Sequence, residues 1–213
     1  MDKTKFPELR TERLILNQPR NSDLKKIKRD ICLIKYRNLP LIEYEKETDS
    51  EIYYFPKTKY FYWIKLEKEN SKILISELIK LLKLLEFNAF IFLDAKNKSW
   101  ISKQTEKRKD FKSLIKTVEY FKSQKIDTKF NGGIEIQFEK LKDFLPHFYR
   151  ITEADSGFFD YYFTDLNQNL IFYIHYSGEI KILSLNEKIN KKLLKVIKKT
   201  KFIDSNRENT NRI

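Results

Sequence analysis

Apolar residues recur three or four positions apart in four stretches of the chain, the spacing that places side chains on one face of a helix. Each stretch follows a residue type that commonly caps a helix N-terminus. The predicted helices are Asp23–Tyr36 after Ser22, a helix capped by Ser71, a helix capped by Asp110 and a closing helix capped by Asn186; a shorter helix, Glu139–Tyr149, contains Pro146. The clearest stripe follows Ser71 and consists of Leu74, Leu78, Leu81, Leu82 and Leu85.

Runs of β-branched and aromatic residues, bounded by turn-forming residues, lie between these helices and are typical of strands. The predicted strands are Thr11–Asn17, two strands within Ile52–Leu66, Asn88–Asp94 returning over Ser99–Ser102, a strand over Ile134–Phe138, and the runs Phe158–Thr164, Leu170–His175 and Glu179–Leu185. Short loops join the last three runs, which predicts an antiparallel meander. The sequence therefore predicts an α+β fold: a mixed or antiparallel sheet with helices mainly on one face, and a C-terminal three-stranded meander plus a closing helix.

An acidic, polar stretch over Glu43–Ser50 is the best candidate for a linker. We expect residues 1–50 to form an N-terminal strand and helix segment, and residues 51–204 to form the α+β core domain. Residues 205–213 are expected to be a polar tail. No internal repeat is visible in any of these parts.

The opening of the chain resembles that of GCN5-related N-acetyltransferases. Residues Phe6–Leu16 (FPELRTERLIL), followed by Asn17–Pro19 and Ser22–Leu24, keep the order of that family's first strand (T-E-R-L-x-L-R), polar break and first helix. A looser similarity to its second helix and its second and third strands is present in Phe61–Ile64 and Phe90–Ile101. The resemblance implies a divergent acetyltransferase that uses acetyl-CoA.

The chain departs from this family where acetyl-CoA is bound. Family members hold the pyrophosphate in a strand-to-helix turn whose glycines let the main chain approach the phosphates. This chain has four glycines, and none lies in that pattern: Gly132, Gly133, Gly157 and Gly178. No catalytic residue is therefore transferred from the family, and no cofactor is expected outside the acetyltransferase alternative.

The chain carries a formal net charge of +13, from 43 basic and 30 acidic residues. A basic balance favours nucleic-acid binding. However, 34 of the basic residues are lysines, whereas specific phosphate and base contacts prefer arginine, so a solvated lysine-rich surface is the competing interpretation. The nucleic-acid alternative depends on one face of the closing helix, with Lys188, Lys191, Lys192, Lys195, Lys198 and Lys199.

Two features predict a cytoplasmic protein. The N-terminus lacks the apolar region of a signal peptide, and a single cysteine, Cys32, leaves no intrachain disulfide to form. In addition, no stretch approaches the ~18 uncharged apolar residues of a membrane span. We therefore expect no membrane partner.

Acidic and aromatic residues are interleaved between Glu153 and Asp165, where negative charge and exposed aromatic rings are expected to meet a basic partner. The residues predicted to contact a protein partner are Glu153, Asp155, Phe158, Asp160, Tyr161 and Asp165. The competing interpretation is structural: Asp155 lies in a turn, Asp165 opens a hairpin loop, and the aromatic side chains form core. Sequence reasoning alone leaves both interpretations open.

Chemical motifs give little support to catalysis. The chain has no zinc-ligand spacing, phosphate-binding glycine loop or serine–lysine motif, and we expect no metal. The two histidines, His147 and His175, lie in different predicted elements, which favours packed or surface roles. By elimination, the leading hypothesis is a non-catalytic protein that binds another protein, of the bacterial immunity or antitoxin-like class. The alternatives are a divergent acetyltransferase and a nucleic-acid-binding protein.

Overall fold

The computed structural model describes residues 60–94, 99–130, 133–155, 158 and 161–206. The strand, helix and linker predicted within residues 1–50 lie outside this part of the chain. So do Cys32, the family-like opening and the first predicted strand of the Ile52–Leu66 block. Asp160, Gly132 and Gly157 also lie outside it, as does the tail from residue 207 onward.

Seven strands of the described chain form one sheet. In chain order they are β1 (Tyr60–Leu66), β2 (Ala89–Asp94), β3 (Ile134–Gln137), β4 (Tyr161–Asp165), β5 (Leu170–Ile174), β6 (Ile180–Ser184) and β7 (Phe202–Asp204). Their order across the sheet is β3-β2-β4-β5-β6-β1-β7, and each described pairing is antiparallel. Together with the helices, this antiparallel sheet confirms the predicted α+β class.

Five α-helices accompany the sheet within the described ranges. They are α1 (Ser71–Leu85), α2 (Lys103–Lys107), α3 (Lys112–Ser123), α4 (Leu141–Ala154) and α5 (Glu187–Ile197). A 3₁₀ turn, Phe138–Lys140, leads into α4. The predicted helix was Glu139–Tyr149. The observed α4 begins at Leu141 and continues past Pro146 to Ala154, so it lies further along the chain than predicted.

Asparagine side chains mark the starts of α1 and α5. As predicted, Asn186 caps α5: its Oδ1 accepts hydrogen bonds from the backbone N–H groups two and three residues on, at 2.9 and 3.3 Å. The predicted cap of α1 is wrong by one residue. Asn70, rather than Ser71, adopts the extended backbone of a cap, and its Oδ1 accepts from a backbone N–H at 3.0 Å.

The start of α3 also differs from the prediction. Asp110 does not cap the helix, because its carboxylate accepts two hydrogen bonds from the Arg108 guanidinium, at 2.9 and 3.1 Å. Phe111 occupies the cap position without a side-chain hydrogen bond. Its ring is 52% exposed and lies under Arg108, so it does not belong to the buried stripe of α3.

The predicted return strand Ser99–Ser102 is absent from the sheet, and β2 pairs with β3 and β4 instead. The physical reason is Trp100, whose side chain is fully buried among the aromatic rings of the core. Ser102 then caps α2 by accepting a hydrogen bond from Thr105 N at 3.0 Å. A turn into a short helix therefore replaces the strand.

One face of the sheet packs with the helices to form the core. The five stripe leucines of α1 are at most 2% exposed, as predicted. At the centre, Phe92 stacks on Phe163 with ring centroids 4.7 Å apart and meets the rings of Phe144 and Phe148 edge-on. The strand residues of this core alternate along the sheet: Ile64, Leu66, Phe90, Phe92, Ile134, Ile136, Tyr161, Phe163, Leu170, Phe172, Ile174, Ile180, Ile182 and Phe202.

The second face of the sheet also carries large buried side chains. In the strand register, Lys181 of β6 lies between Trp63 of β1 and Tyr173 of β5, and these side chains are at most 7% exposed. The Lys181 ammonium lies 5.7 Å from the ring centroid of Trp63. Burial lowers the pKa of Lys181 to about 8, because an apolar environment disfavours the charged form. Burial on both faces explains why β2 and β5 are near-continuous apolar runs.

The last part of the described chain comprises α5 and β7. In α5, Leu193 and Val196 are buried, whereas Leu194 is 40% exposed. The buried Asn190 accepts a hydrogen bond from Tyr62 at 2.9 Å, so a polar residue lies on the buried side of this helix. β7 was not predicted, because three residues are too few to show strand periodicity.

Candidate functional site

A cleft of about 840 Å³ opens where β1 ends and the hairpin between β5 and β6 turns. Three separate parts of the chain line it: the β1–α1 connection, the C-terminal half of α4 and the hairpin turn. The lining residues are Lys65, Leu66, Glu67, Glu69, Asn70, Ser71, Lys72, Leu74, Tyr149, Glu153, Tyr176, Ser177, Gly178 and Glu179. Its shape therefore exists only in the folded chain.

Acidic side chains dominate the charge of this cleft. Four glutamates line it, Glu67, Glu69, Glu153 and Glu179, against two lysines. Glu67 and Glu69 are exposed and form no ion pair with any residue of the described ranges. The cleft is thus a negative site on a protein whose net charge is +13.

The wall contributed by α4 combines a carboxylate with a phenol one turn away. Glu153 pairs with Arg150 at 2.8 Å, and burial raises the pKa of the Glu153 carboxyl. Burial, followed by the nearby carboxylates of Glu153 and Glu69, raises the pKa of Tyr149. Its hydroxyl therefore stays protonated at neutral pH and can donate a hydrogen bond beside the carboxylates.

The β5–β6 turn forms the opposite wall, and its shape depends on Gly178. The backbone N–H of Gly178 donates to the carbonyl of His175 at 2.9 Å, and His175 N donates to Glu179 O at 2.8 Å. Gly178 has φ +82°, and a Cβ at this position would lie 3.1 Å from the Tyr149 hydroxyl. A larger residue would therefore be strained and would push the turn away from α4.

Side-chain hydrogen bonds hold the rim of the cleft. Ser177 Oγ donates to Glu179 Oε2 at 3.0 Å and lies 2.6 Å from His175 Nδ1. Tyr176 is 51% exposed, and its ring centroid lies 4.0 Å from that of His175. The turn thus presents a positioned carboxylate and an accessible aromatic ring side by side.

A smaller hollow of about 270 Å³ adjoins the cleft and shares Glu153 and Tyr176 with it. Its other lining residues include Thr105, Arg108 and Asp155. Asp155 Oδ2 accepts a hydrogen bond from Thr105 Oγ1 at 2.6 Å, so that carboxylate ties α2 to the end of α4. We refer to the two hollows, which share Glu153 and Tyr176, as the acidic groove.

Comparisons with protein families, with curated proteins and with solved structures found no match to this chain. Within the described ranges, no group of three or more histidine, cysteine, aspartate or glutamate side chains is placed to hold a metal ion. None of the described helices has the length and apolar character needed to cross a membrane. The groove is therefore interpreted from its own geometry.

Most side chains predicted to contact a protein partner are buried. The exposed fraction is at most 9% for Asp155, Phe158, Tyr161 and Asp165. The rings of Phe158 and Tyr161 stack with centroids 3.8 Å apart. In this conformation these four residues serve as core and loop residues, Asp160 lies outside the described chain, and Glu153 reaches the groove.

Asp165 shows why an acidic residue can be needed inside the fold. Its carboxylate accepts four hydrogen bonds within the loop between β4 and β5, at 2.8 to 3.1 Å. Three donors are backbone N–H groups, and the fourth is the Asn169 side-chain amide. This arrangement closes the loop and satisfies backbone donors that would otherwise be buried without acceptors.

The lysines predicted for nucleic-acid binding remain at the surface of α5 and the residues that follow it. Exposed members of this set are Lys188, Lys191, Lys195, Lys198 and Lys199. Lys191 pairs with Glu187 at 3.2 Å. Lys192 is half-buried, donates to Leu85 O at 2.9 Å and pairs with Glu86. The structure thus gives Lys192 a role in tying α5 to the end of α1.

Sequence reasoning missed Glu67, Glu69, Tyr176 and Glu179. Each lies in a polar segment at the end of a strand. Only the pairing of β1 with β6 brings these strand ends next to each other. The available signal was the position of Glu67 and Glu69 directly after the aromatic strand Tyr60–Leu66. Strand pairing, rather than local composition, brings these residues to one cleft.

Proposed function

We propose that this chain is a non-catalytic binding protein whose acidic groove holds a cationic segment of a protein partner. The observation that carries the proposal is the concentration of four glutamates around one cleft of a strongly basic protein. Binding of this kind is the action expected of an immunity or antitoxin-like protein. The groove also supplies the meeting of acidic and aromatic residues that the sequence predicted elsewhere.

The short range of screened electrostatic interactions supports a cationic ligand, even though the net charge of the protein is positive. At physiological ionic strength, interactions between exposed charges are screened beyond about 8 Å. A group inside the cleft therefore responds mainly to the glutamates that line it, while most surface lysines are screened. Local charge, rather than net charge, decides which ligand fits.

The remaining chemistry of the groove suits a peptide. Tyr176 offers an exposed ring, the type of residue that anchors protein interfaces and that attracts cations to its face. The cleft volume of about 840 Å³ lies within the range of about 300–1,000 Å³ that is typical of ligand-binding sites. A short segment with lysine or arginine side chains would fill it.

Fluorescence anisotropy of two labelled peptides tests the proposal. One peptide alternates lysine and leucine, and the other has glutamate in place of lysine. We expect the lysine-containing peptide to bind and the glutamate-containing peptide not to bind. The double variant Glu67→Lys, Glu69→Lys should weaken binding about tenfold or more, since each exposed ion pair contributes about 0.2–1 kcal/mol and each reversal also adds repulsion.

A matched control distinguishes the effect of charge in the groove from the effect of the protein's net charge. Glu119 and Glu139 are exposed glutamates outside the lining of both hollows, so Glu119→Lys, Glu139→Lys changes the net charge equally. This control should bind the cationic peptide like the wild type. Equal weakening in both double variants, or no binding at millimolar peptide, would contradict the proposal.

Nucleic-acid binding through α5 is the second candidate. It is favoured by one observation: Lys188, Lys195, Lys198 and Lys199 are exposed and form no ion pair with described residues. Labelled single- and double-stranded DNA should then bind with an affinity that falls steeply with salt. The triple variant Lys195→Gln, Lys198→Gln, Lys199→Gln should reduce the salt dependence, and absent or salt-insensitive binding would eliminate this candidate.

A further inference from the structure

We propose that the N-terminal segment, residues 1–59, covers the second face of the sheet, the face that carries Trp63, Tyr173 and Lys181. The inference is independent of the proposed function, because it concerns the side of the sheet that faces away from the helical core. It gives residues 1–59 a contact surface on the core domain, although the sequence predicts that residues 1–50 form a segment of their own.

The second face requires a cover. It consists of Trp63, Ile91, Leu93, Tyr162, Thr164, Ile171, Tyr173, Lys181 and Leu183, which follow one another across five strands. Each is at most 7% exposed in the single chain. The apolar stripes of the described helices pack in the core, and the strand residues of that core lie on the opposite face of the sheet. The cover therefore belongs to this chain and comes from elsewhere in its sequence.

Length identifies the segment that supplies the cover. Apart from residues 1–59, the parts outside the described ranges are four internal pieces of at most four residues and a C-terminal piece of seven. None of these pieces is long enough to shield five strands, which together span about 24 Å at about 4.8 Å per strand. A helix of 14 residues, as predicted for Asp23–Tyr36, is about 21 Å long.

The segment is also attached at the right place. The described chain begins at Tyr60, the first residue of β1, and β1 itself contributes Trp63 to the second face. Residue 59 thus leads directly into the sheet, which gives the segment a high effective concentration at this face. The predicted helix offers an apolar stripe for the contact: Leu24, Ile27, Ile31 and Ile34.

The two tryptophans make the proposal testable, because Trp63 lies on the second face and Trp100 lies in the helical core. The full chain labelled with 5-fluorotryptophan should give two ¹⁹F resonances, assigned with Trp63→Phe. Both should resist a soluble gadolinium relaxation agent in the monomer. The variant Ile27→Asp, Ile31→Asp should expose the Trp63 resonance and leave that of Trp100 unchanged.

The control variant Lys26→Asp, Arg29→Asp places two aspartates on the polar side of the same predicted helix and should protect Trp63 like the wild type. A Trp63 resonance that the agent reaches in the wild-type monomer would overturn the proposal. Protection that appears only as concentration rises would assign the cover to a second copy. Unchanged protection in Ile27→Asp, Ile31→Asp would assign it to another part of the chain.

A second measurement does not depend on the stability of these variants. Cys32 is the single cysteine, so a nitroxide label on the wild-type chain is carried by that residue alone. We expect the label to broaden the Trp63 resonance more than the Trp100 resonance, because the sheet separates the two tryptophans. Equal broadening, or stronger broadening of Trp100, would place the segment on the other side and refute the proposal.

Discussion

Replacing Lys181 by methionine should stabilise the protein at neutral pH. The Lys181 side chain is 2% exposed, and burial lowers the pKa of its amine from 10.5 to about 8. Below pH 8 the folded protein must therefore keep an ammonium ion in a largely apolar face. Methionine has a similar unbranched shape without the charge, so Lys181→Met removes the cost of burying the ion.

The size of the effect follows from the pKa difference. About 2.5 pKa units at about 1.4 kcal/mol per unit amount to about 3 kcal/mol of destabilisation at pH 7. The ammonium lies 5.7 Å from the ring centroid of Trp63, and loss of this cation–π contact would cost about 0.5–2 kcal/mol. We expect Lys181→Met to raise the free energy of unfolding at pH 7 by about 1–2 kcal/mol.

The same pKa difference predicts how the effect depends on pH. Between pH 8 and pH 10.5 the unfolded chain keeps the proton that folded Lys181 has released, so this residue makes the wild-type stability rise with pH. From pH 7 to pH 9.5 the contribution is about 2 kcal/mol. Lys181→Met lacks this pH-dependent contribution. The difference in unfolding free energy between variant and wild type should therefore shrink or reverse by pH 9.5.

Urea denaturation at pH 7 and pH 9.5, followed by circular dichroism, measures the gap. Lys188→Met is the matched control, because Lys188 is an exposed lysine on α5 and its loss should change stability by less than about 0.5 kcal/mol at either pH. If Lys181→Met were less stable than the wild type by the same amount at both pH values, the inference from burial would be wrong.

Further outcomes follow from other parts of the structure. Phe92→Ala should lower the free energy of unfolding by about 3–5 kcal/mol, while Leu166→Ala, at a side chain 48% exposed, should change it by less than about 0.5 kcal/mol; urea denaturation measures both. Asp165→Ala should cost about 2–4 kcal/mol in the same assay, because four hydrogen bonds lose their acceptor. Asn186→Ala should cost about 1 kcal/mol through the lost helix cap. Acetyl-CoA at millimolar concentration should leave the melting temperature unchanged, and a rise through linkage would support the acetyltransferase alternative.

Helix positions were predictable because their signals are local. The leucine stripe of α1 and the Asn186 cap of α5 need only residues a few positions apart, and the structure confirms both. The errors at the other caps have physical causes. Asn70 and Ser71 are both capable caps, and the extended backbone of Asn70 decides between them. Asp110 binds Arg108 instead of the helix N-terminus.

Strand pairing was predictable only where strands follow each other closely. A local pattern suggested that β2 returns over Ser99–Ser102, yet its partners β3 and β4 come from later in the sequence. The deciding interaction is the burial of Trp100 against Tyr161, with ring centroids 4.8 Å apart. That contact joins residues about sixty positions apart, and no local window contains both.

The sheet itself explains why most of the residues predicted to contact a partner are buried. Consecutive aromatic residues such as Tyr161, Tyr162 and Phe163 suggest an exposed binding surface when one face of a strand is expected to be wet. In this sheet both faces of β4 are buried, so the same run indicates burial on two sides. Accessible charge is therefore displaced to the loops where strands end, and there Glu69 and Glu179 reach the same cleft.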